Sequence, residues 1–227
     1  MRHCGLLVSI IYIACQPFLA ANPASAEDAP LTPCDTYAAS PFDPQRQTTG
    51  VRVVNPALAI PACRSAVTTY PISPRLNYQL GRAYYAAKNF PESLAYFLRA
   101  AEQGYAAAET TLGDAFKHGT GVSQSYADAI YWYSKAAKQG FAIAQNSLGA
   151  MYENGLGSPR DIIVAADWYR KAAEQGDSDG QANLTRLGTT AFANTKLEPP
   201  STPPIPTPKP STKPLPSRQK GGRELKN

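Results

Sequence analysis

Apolar and small side chains recur along the middle of the chain at spacings of three and four residues, the pattern of a helix with one buried face. One such stripe holds Ala108, Leu112, Ala115 and Phe116, and the next holds Ile130, Tyr133, Ala136 and Ala137. One phrase also returns, as AAEQGYAAAETTLG at 100–113, AAKQGFAIAQNSLG at 136–149 and AAEQGDSDGQANLT at 172–185, with starts 36 residues apart. Two helical stripes within one fixed period predict repeated helical hairpins.

Glycines mark the predicted helix ends. Gly-x-Gly follows the first helix of a repeat at 119–121 and again at 155–157, and a polar stretch then opens the second helix. Gln-Gly closes each second helix at 103–104, 139–140 and 175–176. Glycine adopts the left-handed cap conformation there at the lowest cost.

Small residues at the predicted helix crossing let the two helices of a hairpin approach closely. They are Gly113 and Gly149 in the first helices, and Ala136-Ala137 and Ala172-Ala173 in the second helices. The aromatic pairs Trp132-Tyr133 and Trp168-Tyr169 are predicted to fill the gaps between hairpins. Because one hairpin cannot bury its own apolar face, neighbouring hairpins are expected to stack.

These residues resemble the Sel1-like repeat, a relative of the tetratricopeptide repeat, of the type found in exported bacterial proteins. One copy carries Leu112, Gly113, Phe116, Gly119, Gly121, Val122, Ala129, Trp132, Tyr133, Lys135, Ala136, Ala137, Gln139 and Gly140. The next copy carries Leu148, Gly149, Tyr152, Gly155, Gly157, Asp161, Ala165, Trp168, Tyr169, Lys171, Ala172, Ala173, Gln175 and Gly176, with Ser158 in place of the valine. The resemblance covers about residues 74–187 and implies an all-α, right-handed α-solenoid.

The repeat register predicts the boundaries of the array. They are a tetratricopeptide-like hairpin at 74–106, Sel1-like repeats at 107–142 and 143–178, and a capping helix at 179–195. The loop between the two helices of the first hairpin is four residues shorter than in the Sel1-like repeats.

The flanks of the array lack this period. Residues 27–73 are predicted to form an irregular cap with one repeat-like helix through Ala59, Cys63 and Ala66, which Pro61 should shorten or bend. Nine prolines at 199–216 exclude a helix or a central strand, so 196–227 is predicted to be a disordered tail.

The first 26 residues have the pattern of an export signal. Arg2 and His3 precede an apolar run from Leu6 to Ala14, and Ala24-Ser25-Ala26 has the form of a signal peptidase site. Cleavage after Ala26 would place the mature protein in the periplasm or outside the cell. The alternative is a lipoprotein signal ending at Cys15.

Two cysteines, Cys34 and Cys63, remain after such cleavage. In an oxidising compartment they are predicted to form a disulfide that closes a loop of roughly 30 residues and stabilises the fold by about 3 kcal/mol. The alternative is two buried free thiols. A metal site is not expected, because zinc takes about four ligands and no histidine pattern accompanies the cysteines.

The net charge of +5 is not carried by the predicted solenoid. Residues 27–195 hold 14 Lys and Arg against 15 Asp and Glu, whereas residues 196–227 hold 7 against 2. A nucleic-acid-binding body would carry its own basic face, so no nucleic-acid partner is expected. Weak contact of the basic tail with an anionic envelope polymer or lipid stays open.

Candidate catalytic residues are few. His118, the one histidine outside the leader, is interpreted as a solvated loop residue beside Gly119, with no G-x-S-x-G elbow to serve it. Glu153, Asp161 and Asp167 fall where the repeat carries charged surface positions, so a catalytic carboxylate pair is not favoured. No catalytic residue, cofactor or metal ligand is predicted.

The remaining candidate site is a surface. In tetratricopeptide-like solenoids the first helices line a concave groove, and the resemblance transfers its positions to this chain by register. They are Tyr78, Arg82 and Tyr85, then Thr110, Asp114 and Lys117, then Asn146, Ala150 and Glu153. Such a groove could hold an extended peptide or a helix of a protein partner, or these residues simply face water.

The resulting hypothesis is an exported, non-enzymatic scaffold, an adaptor or regulator, that binds a protein or peptide. Two alternatives stay open. One is a β-lactam- or peptidoglycan-directed hydrolase, an activity linked to secreted, cysteine-rich relatives whose repeats each carry a cysteine pair that is missing here. The other is an envelope attachment protein that acts through its basic tail.

Overall fold

The computed structural model describes residues 29–41, 50 and 54–191. Every regular element in this part of the chain is a helix. The helices are α1 (Pro33–Ala38), α2 (Pro56–Thr69), α3 (Pro74–Ala86), α4 (Phe90–Glu102), α5 (Ala106–His118), α6 (Tyr126–Lys138), α7 (Ala142–Asn154), α8 (Ile162–Glu174) and α9 (Ser178–Ala191). None of these is long and apolar enough to cross a membrane. The predicted leader 1–26, its lipidation alternative at Cys15 and the predicted tail 196–227 lie outside the described residues.

The helices form a linear array in which each one packs against the next. Three hairpins, α3–α4, α5–α6 and α7–α8, make up its centre, and α9 packs on the last of them. The apolar core runs along the array in three clusters, between the N-terminal cap and α3, between the first two hairpins, and between the last two hairpins and α9. The predicted all-α solenoid is therefore confirmed.

The loops inside the hairpins differ in length as predicted. Three residues, 87–89, join α3 to α4, whereas seven residues join the helices of the next two hairpins, at 119–125 and 155–161. Gly119 and Gly155 cap α5 and α7 with φ values of 71° and 65°, a region that costs glycine least. The second helices also end in the predicted Gln-Gly turns, with φ values from 78° to 86° at the three glycines.

A glycine of the first helix faces an aromatic ring of the second helix in each hairpin. The three pairs are Gly81 with Phe97, Gly113 with Tyr133, and Gly149 with Tyr169. A Cβ at Gly113 would lie 2.6 Å from ring carbons of Tyr133. Tyr133 and Tyr169 thus fill space inside their own hairpins, and both also belong to the core cluster that the last two hairpins share with α9. The close helix approach leaves room for a ring only where the facing residue lacks a side chain.

Gly113→Ala is expected to lower the free energy of unfolding by about 1–3 kcal/mol, the usual cost of overpacking. Helix propensity alone predicts the opposite sign, because alanine favours a helix by about 1 kcal/mol over glycine. Urea unfolding followed by circular dichroism measures the difference.

A second substitution isolates the cause of that effect. Tyr133→Leu should recover much of the loss in the Gly113→Ala background, since it removes the ring, whereas Tyr133→Phe keeps the ring and should recover none. A Gly113→Ala variant more stable than the wild type would contradict the packing argument.

The N-terminal cap is more regular than expected. It contains the short helix α1, and α2 runs for 14 residues through Pro61, so the expected shortening did not occur. Pro61 lies on the exposed side of α2, while Ala59, Cys63 and Ala66 are buried on the other side. Burial of that face outweighs the one backbone hydrogen bond that a proline removes.

Candidate functional site

A pocket of about 390 Å³ opens between the first two hairpins, lined by α3, α4 and α5 together with Val54 and Thr120. Four of the predicted groove residues line it: Tyr78, Arg82, Tyr85 and Asp114. The structure therefore brings together the first predicted group and part of the second.

The floor of the pocket is apolar and buried. Tyr78 is only 6% exposed, and its ring packs against those of Phe97 and Tyr105 at centroid distances of 5.6 and 5.3 Å. Tyr78 was predicted as a groove contact, but most of its ring belongs to the core. Leu94 and Phe97, both buried side chains of α4, complete the floor.

One wall of the pocket combines an exposed aromatic ring with a cation. Tyr85 is 48% exposed and meets Phe90 edge-on, with 5.5 Å between ring centroids. Arg82, one turn earlier on α3, donates a hydrogen bond of 2.5 Å from Nη1 to the carbonyl oxygen of Ala38. The N-terminal cap therefore holds this cation in place beside the pocket.

The opposite wall carries a carboxylate. Oδ1 of Asp114 on α5 accepts a hydrogen bond of 2.5 Å from the Tyr133 hydroxyl. Desolvation by the surrounding protein raises the pKa of Asp114 above its ordinary value, although the Tyr133 hydrogen bond and the charges of Lys117 and His118 act in the opposite direction. Asp114 is exposed at the surface, so it is a hydrogen-bonded carboxylate that also presents negative charge at this wall.

His118 also lines the pocket, contrary to its interpretation as a loop residue. It is the last residue of α5, one turn after Asp114, and the loop begins with Gly119. His118 remains exposed at the surface, so it contributes a polar edge to the pocket.

Thr110 and Lys117, also predicted in the second group, do not line this pocket. Thr110 is buried, and its hydroxyl donates to the carbonyl oxygen of Ala106 at 2.8 Å. The side of α5 that faces α3 instead carries Thr111, Asp114, Ala115 and His118. The register taken from the family was about one residue off for this helix.

The third predicted group is covered by α9. Asn183 donates a hydrogen bond of 2.9 Å to the side-chain oxygen of Asn146, and Ala150 packs against the core cluster of the last two hairpins. Arg186 makes two hydrogen bonds, of 2.6 and 2.7 Å, to the carboxylate of Glu153, which also accepts one of 2.8 Å from the Tyr169 hydroxyl. These residues hold the last helix on the array and leave the pocket between the first two hairpins as the candidate site.

Glu153→Gln is expected to lower the free energy of unfolding by about 1 kcal/mol at pH 7, the upper range for a partly exposed ion pair. The Arg186 hydrogen bonds lower the pKa of Glu153 below its ordinary value. A lowered folded-state pKa gives stability that is complete above the unfolded value, about 4.3, and is lost as pH falls through the folded value.

The difference between wild type and Glu153→Gln should therefore be smaller at pH 3 than at pH 7. Amide hydrogen exchange in α9, measured at both pH values, detects the loosening directly. Asp167→Asn is the matched control, because Asp167 pairs with Arg170 on one exposed helix surface. A difference between wild type and Glu153→Gln that persists unchanged at pH 3 would contradict the role given to the carboxylate.

Several lining residues of the pocket were not predicted from the sequence. They are Val54, Ala86, Phe90, Ser93, Leu94, Phe97, Thr111, Ala115, His118 and Thr120. Phe90 is the clearest case, because the short 87–89 loop brings the start of α4 to the pocket mouth. The sequence shows that this loop is four residues shorter than the loops of the other two hairpins. The place of Phe90 at the pocket could have been predicted from that difference.

The acidic residues considered as a catalytic pair have structural partners. Asp161 caps α8 through hydrogen bonds of 3.0 Å from the backbone amides of Ile163 and Val164. Asp167 pairs with Arg170 at 2.6 Å, and Glu153 pairs with Arg186. Among the described residues, no group of three or more His, Cys, Asp and Glu side chains is arranged to hold a metal ion.

Comparison with known proteins assigns the repeats. The Sel1 repeat family matches residues 74–105, 106–141 and 142–177, each beginning within one residue of the predicted boundaries. No curated protein sequence matches the chain.

Two solved structures are similar to it. One is a protective antigen present in uropathogenic Escherichia coli strains that displays an SLR fold, with 37% identity and a TM-score of 0.55 over 60% of this chain and 29% of that chain. The other is a Sel1 repeat protein from Oxalobacter formigenes, with 29% identity and a TM-score of 0.54 over 59% of this chain and 54% of that chain. The chain thus spans less than a third of one of these proteins and about half of the other.

Sel1 repeats are commonly protein-interaction scaffolds, and the solenoid with its side pocket has the form of such a scaffold. The same assignment follows from the three consecutive family matches, from the two solved structures and from the loop and glycine positions. Residues 74–177 thus consist of three consecutive Sel1 repeats.

Proposed function

We propose that this protein is an exported, non-enzymatic scaffold that binds a protein or peptide partner in the pocket between its first two hairpins. The observation that carries the proposal is the exposed aromatic wall over an apolar floor. Tyr85 is 48% exposed although it lies beside Leu94 and Phe97, which are 4% and 2% exposed. Exposed aromatic rings at the edge of well-packed pockets are typical anchors of protein–protein binding.

The proposed site lies on rigid elements. α3, α4 and α5 are fixed to one another by the core cluster that includes Tyr78, Phe97 and Leu112. The cap supports α3 through the bond between Arg82 and Ala38. A partner would therefore bind a preformed surface, and the ordering cost of binding would fall mainly on the partner.

Export is part of the proposal and rests on two supports. The leader 1–26 has the composition and cleavage pattern of a signal peptide. Cys34 and Cys63 are joined in a disulfide, and disulfides persist mainly in oxidising compartments. Mass spectrometry of the protein from fractionated bacteria should find a chain that begins at Glu27. A lipid-modified Cys15 would favour the lipoprotein alternative, and an unprocessed cytoplasmic chain would contradict export.

The binding proposal is tested by affinity capture from the exported fraction of the source cells. Baits are the wild type, Tyr85→Ser and Ile163→Ser, the last a matched control because Ile163 is an exposed apolar residue of α8, outside the pocket. The wild type and the control should recover the same partner, and Tyr85→Ser should recover at least about tenfold less, as for a hot-spot residue. Equal recovery by all three baits would show that the pocket is not the binding site.

A further inference from the structure

The wall of the pocket that holds Tyr85 is aromatic and open to solvent. Tyr85 is 48% exposed, and the partly exposed ring of Phe90 meets it edge-on. The floor beneath them is apolar, formed by Leu94, Phe97 and Ala115. Grooves lined by aromatic rings bind proline-rich segments, because such segments already favour the extended polyproline II conformation and lose little entropy on binding.

The chain carries a segment of this kind. Residues 203–210 read PPIPTPKP, with five prolines in eight residues. They also supply one large apolar side chain, Ile205, and one cation, Lys209. The segment follows α9 in the sequence and lies outside the described residues.

The direction of the helices places the start of this segment at the same edge of the array as the pocket. Loops of three or seven residues join consecutive helices from α3 to α9, so neighbouring helices are antiparallel. The helices α3, α5, α7 and α9 therefore run in one direction. Tyr85 and His118, which line the pocket, lie in the last turns of α3 and α5, and α9 ends at that same edge with Ala191.

The distance along this edge is within reach of the segment. Packed helices lie about 8–10 Å apart, so the four steps from α9 back to α5 add up to at most about 40 Å. The 14 residues from 192 to 205 span about 43 Å as polyproline II, at about 3.1 Å per residue. Ile205 can therefore reach the pocket of its own chain.

We infer that residues 203–210 dock in the pocket of their own chain. The prolines pack on the aromatic wall beside Tyr85, and Ile205 faces the apolar floor. Lys209 adds a smaller electrostatic preference, because Asp114 presents an exposed carboxylate on the opposite wall. A partner must then displace this segment, a consequence that rests on the proposed function.

The accessibility of Tyr85 tests the docking without a known partner. Tetranitromethane nitrates exposed tyrosines, and mass spectrometry of the full chain gives the rate at each one. Tyr37, which is 38% exposed in α1 and does not line the pocket, is the internal reference. A linked segment has an effective concentration of about 1 mM, so a dissociation constant of about 0.1 mM would keep the pocket about nine-tenths occupied.

Ile205→Asp should therefore raise the nitration rate of Tyr85, relative to that of Tyr37, by about tenfold. Leu215→Asp is the matched control, because Leu215 also stands between two prolines but lies outside residues 203–210. It should leave the rate at Tyr85 unchanged. An equal rise in both variants would overturn the assignment to residues 203–210.

Cross-linking in a mixture of isotopically light and heavy chains distinguishes docking within one chain from docking between two. Benzoylphenylalanine in place of Ala86, an exposed residue of the pocket lining, should cross-link to residues 203–210 of a chain with the same isotope label. The same group in place of Ile163, on α8, should not. Cross-links between light and heavy chains would show that a second copy is the occupant and would overturn the inference.

The outcomes separate this inference from the proposed function. Equal nitration of Tyr85 in the wild type and Ile205→Asp would overturn the docking and leave the partner site standing. Docking together with equal partner recovery by the wild type and Tyr85→Ser would overturn the proposed function alone. Where both hold, Ile205→Asp should capture more partner than the wild type, and equal capture would overturn the competition between segment and partner.

Discussion

Asp35→Ala is expected to lower the free energy of unfolding by about 3–5 kcal/mol, the cost of breaking a buried ion pair by removing one partner. Asp35 is fully buried and pairs with Arg75, which is 5% exposed. Its carboxylate also accepts hydrogen bonds from the backbone amide of Thr32 at 2.8 Å and from Nε2 of Gln79 at 2.9 Å. The alanine variant would remove the carboxylate that pairs with this buried guanidinium in the described part of the chain.

The unpaired cation, rather than the lost contacts, should account for most of this effect. Burial already lowers the pKa of Arg75 from its ordinary value. Its Nη2 donates at 2.6 Å to the carbonyl of Ala29, one partial compensation that would remain. Arg75→Met in the Asp35→Ala background removes the charge, so the double variant should be more stable than Asp35→Ala alone.

Urea unfolding of the wild type, both single variants and the double variant gives the coupling energy between the two positions. Asp167→Ala is the matched control, because its pair with Arg170 is exposed, and it should cost less than about 1 kcal/mol. A loss of less than about 1 kcal/mol for Asp35→Ala, or additive effects of the two substitutions, would contradict the buried-pair argument.

The periodic part of the chain could be predicted because its signals are local. Helical spacing, the Gln-Gly turns and the shorter first loop are all visible within single repeats, and they predict the solenoid of helical hairpins that the structure shows. Arg82, Tyr85 and Asp114 were assigned to one surface by the same register, and all three line the pocket. Because the repeats share one period, a helix boundary that is ambiguous in one copy can be identified from the equivalent position in another copy.

The aperiodic part could not be predicted in this way. Asp35 lies in the cap, outside the repeat register, 40 residues before Arg75 at the start of α3. The effect of Pro61 on α2 also could not be predicted, because it depends on which face of this helix the core covers. Glu153 was assigned to an open groove, since the sequence identified α9 as a cap without showing that Arg186 reaches back to it. Each of these outcomes depends on tertiary contacts rather than on local pattern.

Removal of the disulfide is the second large effect expected. Cys34 and Cys63, both fully buried and 29 residues apart, are bonded with a Cα–Cα distance of 4.5 Å. Cys34→Ala/Cys63→Ala should lower the free energy of unfolding by about 3–4 kcal/mol, because the unfolded chain loses the constraint on a loop of this length. Urea unfolding with and without dithiothreitol measures it. The reductant should destabilise the wild type by a similar amount and leave the double variant unchanged.

The disulfide and the buried pair hold the same short helix, so their effects should be coupled. α1 has six residues and carries both Cys34 and Asp35. Without the disulfide, α1 can separate from α2 before the solenoid unfolds, and Asp35 then contributes less to global stability. Asp35→Ala should therefore cost less in the Cys34→Ala/Cys63→Ala background than in the wild type. Equal costs in the two backgrounds would show that α1 stays docked without its covalent link, and that the ion pair alone suffices to hold the cap on α3.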